Sequence, residues 1–497
     1  MRIQKESGWL RLRAYVVAGL VMFLSFMVVP IVLVWSSEVE VVSLYSGPIP
    51  SGSVTETLAS NWPSFRGPGG NGVVDGAELP DRFDVGDVAN LAWRKEIPGF
   101  AHASPIIWGD RVYVTSAVTS GPPQRFIAEL PDTPESVADR WLHRWIVMAI
   151  DKHTGNVLWE RVAAEATPRT GRLRKGSFNN STPATDGQYI VALLGSQGLF
   201  CYDVNGNLLW HVDLGVLDAG WFFDPTFQWG MASSPVIHEG KVIVQADVHG
   251  GAFIAGFDVV NGTELWRTAR DEVSSFSTPA VIRTRGVSEV VTNGGRAVRA
   301  YSLDNGEELW TLKTSSEIAV PTPIFSHGLI FVGSGYLPQQ PFYAIRPGGV
   351  GDISLPSGQS SSPQVVWTLA DAGPLISTPI VVGDYLFIMQ RDGTLSCFDA
   401  VTGIPIYSER IGAPELSDET SLPLTKESLA TYTASPVASN GKLYVVSDLG
   451  DIHVIDAGPF LEILGTYSVG EGVFSTPAIS DGMFLVRGLD HLFAFSR

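Results

Sequence analysis

The chain has 497 residues, of which 45% are hydrophobic and 17% charged, with 52 glycines, 32 prolines and a formal net charge of −18. That much apolar material excludes a disordered chain, and that much turn chemistry excludes helical bundles and coiled coils. The acidic balance argues against a nucleic-acid partner, and two cysteines, Cys201 and Cys397, exclude a disulfide framework or a Cys-based zinc site.

Residues 1–14 carry Arg2, Lys5, Arg11 and Arg13 against one acid, Glu6, and Tyr15 to Trp35 then runs 21 residues without a charge. At ~1.5 Å per residue this spans the ~30 Å hydrocarbon layer. The basic flank puts everything beyond it outside the cytoplasm. The reading is a cytoplasmic tail (1–14) and a transmembrane signal anchor (15–35), in a single-pass protein of the inner membrane facing the periplasm or an equivalent envelope space. A cleaved signal peptide is the competing reading, although its apolar core is usually ~7–15 residues and no A-x-A site follows here. Residues 36–85 read as a stiff polar linker. Within it, NWPSFRGPGGNG at 61–72 is expected to be ordered, with Trp62, Phe65 and Arg66 capping the following domain.

Residues 86–497 are repetitive. Ser104-Pro105, Thr182-Pro183, Ser234-Pro235, Thr278-Pro279, Thr322-Pro323, Thr378-Pro379, Ser435-Pro436 and Thr476-Pro477 recur 41 to 78 residues apart. A short apolar run, a turn pair and an alternating run follow each, as in VIHEGKVIVQAD (236–247), which is hairpin chemistry. The units close with a glycine four residues before an aromatic: DKHTGNVLW, DVNGNLLW, DVVNGTELW and SLDNGEELW end in Trp159, Trp210, Trp266 and Trp310, whereas DAVTGIPIY ends in Tyr407. Trp367 takes the same place in the fifth unit, and Leu464 departs from it. Four antiparallel strands leave exposed edges and too little core, so such units must stack, and eight close a ring. The last unit lacks its fourth strand, while a surplus strand with Trp93 precedes the first; strand 87–97 is expected to close the ring. Long insertions are expected at 117–145, 337–366 and 412–431.

The S-T-P and A-x-D-x-x-T-G-x-x-x-W pattern resembles the quinoprotein-type family of pyrroloquinoline-quinone-like repeats, whose fold is an all-β, eight-bladed β-propeller. The resemblance implies that Trp93, Trp159, Trp210, Trp266, Trp310 and Trp367 are structural docking residues between blades. One branch contains quinone-dependent alcohol dehydrogenases, which hold the cofactor between a tryptophan and a disulfide of adjacent cysteines, beside a Ca²⁺ with carboxylate ligands. The other contains non-enzymatic propellers similar to the outer-membrane-assembly lipoprotein B. Cys201 and Cys397 occupy equivalent positions of units two and six, so no adjacent pair exists, and both read as buried structural thiols.

Loops on the channel face supply candidate binding residues: Asn179, Asn180, Trp229, Phe276, Asp247, His249, Asp392 and Asp448, with His102, Phe178, Gln228, Tyr432 and Phe474 nearby. Asp247 with His249 suggests a metal ligand pair, but no third ligand is specified and a hydrated turn is the favoured reading; Asn179-Asn180 offers a Ca²⁺ or sugar contact, but Asn before a strand is ordinarily turn chemistry. No catalytic, cofactor or metal residue is assigned. The expectation is a membrane-tethered, envelope-facing, non-catalytic scaffold for a protein or glycan partner. The alternative is an oxidoreductase using pyrroloquinoline quinone with Ca²⁺ on an alcohol or sugar. A ligand sensor is a weaker third reading, because the 14-residue tail holds no output domain.

Overall fold

The computed structural model describes residues 61–497 apart from 77, 84, 87–89, 123–134, 222, 225, 285, 337 and 412–430. The tail at 1–14, the span at 15–35 and the insertion at 412–430 lie outside the described residues. Among the described residues no helix is long and apolar enough to cross a membrane.

Among the described residues eight sheets, each built on four antiparallel strands in up-and-down order, form the ring. The third is typical: Val236–His238, Lys241–Ala246, Phe253–Asp258 and Glu264–Ala269 run outward from the channel. Its two middle strands are buried throughout, because neighbouring sheets cover both faces, and only the outermost strand alternates. This is an eight-bladed propeller. The surplus strand Leu91–Glu96 pairs with His491–Phe495 and completes the eighth sheet. Part of the insertion expected at 337–366 is itself blade: Phe342–Ile345 is the third strand of the fifth sheet, and Gly351–Asp352 adds a parallel fifth strand to the fourth. FYAI is a four-residue run between loops, too short for its periodicity to stand out.

The recurring tryptophans share one geometry. The indole Nε1 of Trp93, Trp159, Trp210, Trp266 and Trp367 donates, at 2.7–3.1 Å, to a backbone carbonyl in the next blade's outer turn. Each ring lies against that turn's glycine (Gly155, Gly206, Gly262, Gly306 and Gly403), where a Cβ would come within 2.9 Å of it. Trp310 differs: its Nε1 donates to the Glu289 carboxylate at 2.8 Å, and its ring meets Gly349 in the fifth blade's longer turn. Within its own sheet every one of these rings faces a small residue across a β-bulge: Ala494, Ala149, Cys201, Gly256, Ala300 and Ala344. Cys397 likewise faces Tyr407. Burial raises both thiol pKa values, that of Cys397 to about 12, so the cysteines serve as small apolar fillers under an aromatic ring.

From Asn61 onward, the stretch read as linker packs against the ring. Trp62 pairs its backbone with Ile107 of the first blade at 2.8 Å in both directions, and Thr185 of the second donates to the Pro63 carbonyl. Val74 and Ala438 link it to the seventh blade. Phe83 enters the core between Tyr444, Tyr467, Phe484 and Phe495, with ring centroids 4.8–6.0 Å away. The segment therefore crosses the face that carries the first turn of each blade.

Candidate functional site

The Ser/Thr-Pro repeat builds the channel. Each backbone N–H of Ser104, Thr182, Ser234, Thr278, Thr322, Thr378, Ser435 and Thr476 donates to the side-chain oxygen of the next blade's residue, at 3.0–3.3 Å, until Thr476 returns to Ser104. A small hydroxylated side chain is the only kind that accepts this bond without filling the channel, and the following proline has no N–H to leave unpaired. A cavity of about 410 Å³ lies within this ring. Phe65 of the leader lines its floor, and Trp229, Phe276, Tyr336 and Phe474 line its walls.

Three peripheral segments meet at the mouth. Ser136–Val137 pairs with Arg172–Leu173 as a two-stranded ribbon. The Gln228 side-chain oxygen accepts the Gly171 N–H at 2.6 Å, and its amide donates to Asp218. Arg172 is buried, and its Nη1 donates to the carbonyls of Leu173, Arg174 and Gly176 at 2.9–3.1 Å, with the guanidinium over the Phe178 ring. The loop is thus wrapped around Arg172, and Arg174 and Lys175 line the cavity, joined by Arg391 from the sixth blade. Among the described residues no aspartate or glutamate lines the cavity. His102 also lines it, its Nε2–H donating to the Lys175 carbonyl at 2.6 Å; burial, with Arg487 and Arg172 nearby, lowers its pKa to about 4, so the imidazole is neutral.

The sequence-derived candidates divide among several environments. Asn180, Trp229 and Phe276 line the cavity; Trp229 and Phe276 have centroids 6.3 Å apart and planes tilted by 35°. Asn180 holds a turn, its side chain bonding Ser177 at both ends. Asn179 is buried beside the mouth, where its carbonyl accepts the N–H groups of His102 and Ala103. Asp247 is fully buried in an ion pair with Arg270, Oδ1 to Nε 2.6 Å and Oδ2 to Nη2 3.1 Å, and also accepts bonds from Gln245 and Ser275. His249 stands outside the cavity-lining residues. Asp392 is exposed and caps the Thr394 N–H, and buried Asp448 accepts bonds from Thr431 and Thr433. Desolvation raises the Asp448 pKa. Among the described residues no group of three or more His, Cys, Asp or Glu side chains could hold a metal ion.

The cationic mouth and Arg172 were missed in the sequence reading, although RTGRLRK at 169–175 packs four basic residues into an acidic chain. The Ser/Thr hydroxyls were read as repeat markers only. Their bonding partners are 41 or more residues away, and no local pattern shows them.

A family profile described as outer membrane protein assembly factor BamB matches residues 87–215, 143–404 and 295–432. The protein of that name from Burkholderia pseudomallei (strain K96243) is 28% identical over 130 residues, 26% of this chain and 29% of that protein, so the match spans less than a third of that relative. Among solved structures, a europium-containing methanol dehydrogenase superposes with a TM-score of 0.58 at 10% identity, covering 89% of this chain and 99% of that one. The quinohemoprotein alcohol dehydrogenase from Comamonas testosteroni also gives 0.58, at 13% identity, covering 89% and 81%. BamB from Moraxella catarrhalis gives 0.48 at 14% identity, covering 77% and 98%. At such identities the dehydrogenases share the fold alone.

Proposed function

The chain belongs to the family of the outer membrane protein assembly factor BamB, and on that footing we propose that it is a non-catalytic propeller scaffold of the cell envelope. Residues 15–35 tether it to the inner membrane, and the channel face meets a protein or glycan partner. The observation that carries this reading is the chemistry of the channel wall. A quinone with Ca²⁺ calls for a flat slot and a set of hard oxygen ligands beside it. Here Trp229 and Phe276 are tilted by 35°, Asp247 is committed to Arg270, and among the described residues the charged side chains lining the cavity are the cations Arg174, Lys175 and Arg391, while the hydroxyls of the Ser/Thr-Pro ring already accept backbone N–H groups. These residues do not fit that cofactor, and no step is derived through it.

Isothermal titration with pyrroloquinoline quinone and Ca²⁺ is expected to show nothing tighter than the micromolar range, a binding energy of about 8 kcal/mol. Saturable nanomolar binding abolished by Trp229→Ala would overturn the scaffold reading in favour of the oxidoreductase. For the tether, an alkaline phosphatase fusion after Ser53 is expected to be active. A stable but inactive fusion would place the propeller in the cytoplasm.

A further inference from the structure

We propose that the channel mouth recognises an acidic segment of a partner polypeptide, its carboxylates against Arg174 and Lys175 and an apolar side chain in the cavity. This inference rests on the scaffold reading above and adds the chemistry of the partner.

The local charge runs opposite to that of the molecule. The chain has 51 acidic against 33 basic residues, yet among the described residues the lining includes Arg174, Lys175 and Arg391 and no acid. The two loop cations are held in place by Arg172, whose three carbonyl bonds and Phe178 contact fix the backbone from 172 to 176. The Ser136–Val137 ribbon and the Gln228 bond to Gly171 brace that loop from two further segments. Side chains on a preformed loop lose less freedom on binding, which favours a specific contact over diffuse attraction.

The size of the positive patch selects among anions. Charges screen over ~8–10 Å at physiological salt, so a short acidic segment meets only the mouth. A long polyanion such as nucleic acid would also lie along the acidic remainder of the surface and be repelled. Below the cations the wall is Trp229, Phe276 and Phe474 with aliphatic side chains such as Ile318, Val320 and Ile376. The ring hydroxyls in it already accept the amides of the preceding blades. That wall suits an apolar side chain better than the hydroxyls of a glycan, whose desolvation requires new partners. About 410 Å³ also accommodates one large side chain with its flanking backbone.

The test is fluorescence anisotropy with the full chain in detergent micelles and a labelled peptide, Asp-Asp-Phe-Asp-Asp, blocked at both ends. Saturable binding that weakens with added salt is expected. Arg174→Glu with Lys175→Glu should weaken it by about tenfold or more, and Arg174→Gln with Lys175→Gln, which disturbs the loop less, by several-fold. Replacing the peptide's phenylalanine with alanine should cost about tenfold or more. Equal binding of Lys-Lys-Phe-Lys-Lys, or undiminished binding by both double variants with unchanged thermal melting, would overturn the proposal. So would an oligogalacturonate that displaces the peptide at lower concentration, which would assign the mouth to an acidic glycan. None of those results touches the scaffold reading, which fails on nanomolar quinone binding or on a stable but inactive phosphatase fusion.

Discussion

Replacing Trp93 with alanine is expected to destabilise the propeller by about 3–5 kcal/mol in equilibrium chemical denaturation. The residue is buried, its Nε1 donates to the Lys152 carbonyl at 2.7 Å, and its ring covers Gly155, so one side chain joins the eighth blade to the first. Removing Leu91–Ile97 altogether should have a further consequence. His491–Phe495 would become an exposed edge with unpaired backbone groups, and edge pairing between molecules would follow. Light scattering should then report larger species than the intact protein gives under the same conditions. A Trp93→Ala protein within about 1 kcal/mol of the parent, or a deletion that scatters like the intact protein with the same melting temperature, would show that the ring does not depend on this clasp.

Arg66→Ala is expected to cost about 3 kcal/mol or more and to make the segment around it sensitive to protease. The guanidinium is fully buried and donates to the carbonyls of Gly70, Asn71, Pro379 and Pro436, at 2.8–3.3 Å, tying the leader to the sixth and seventh blades. Burial lowers its pKa to about 9, so its desolvation is expensive and the four acceptors are what offset it. Alanine would leave those carbonyls without their donor in a water-poor site. Arg66→Lys should rescue little, because an ammonium is a point charge with three donors and cannot span four acceptors in a plane. Unchanged stability and protease resistance in Arg66→Ala would mean that Trp62 and Phe83 alone anchor the leader.

The order and number of blades were readable from the chain because their determinants are local and repeated. A glycine with φ near +70° at Gly155, Gly206, Gly262, Gly306 and Gly403 and an aromatic four residues on mark most of the outer turns, since both the turn and the ring it returns to bury lie within one short stretch. Closure was readable for a related reason: one strand too few at the end and one too many at the start.

What each polar residue does was decided by tertiary structure. Asp247 beside His249 reads as a hydrated turn rather than a ligand pair, yet it is fully buried; a carboxylate that deep requires a counter-charge, and Arg270, 23 residues away, supplies it through two bonds. Cys201 and Cys397 read as buried structural thiols, and both are buried, but only the sheets show why a small residue is needed there: each lies opposite an aromatic ring. Arg66 falls in the segment expected to be ordered, but Phe83 reads as linker, and which blades the two hold is hidden because Pro379, Pro436 and the rings around Phe83 lie more than 300 residues further along the chain. The sequence by itself determined the repeat, and therefore the ring, through turn chemistry and strand alternation. Only the closed ring determined which hydroxyls line a channel, which loop crowns it with positive charge and which carboxylates are already taken, because those contacts join segments that no local pattern connects.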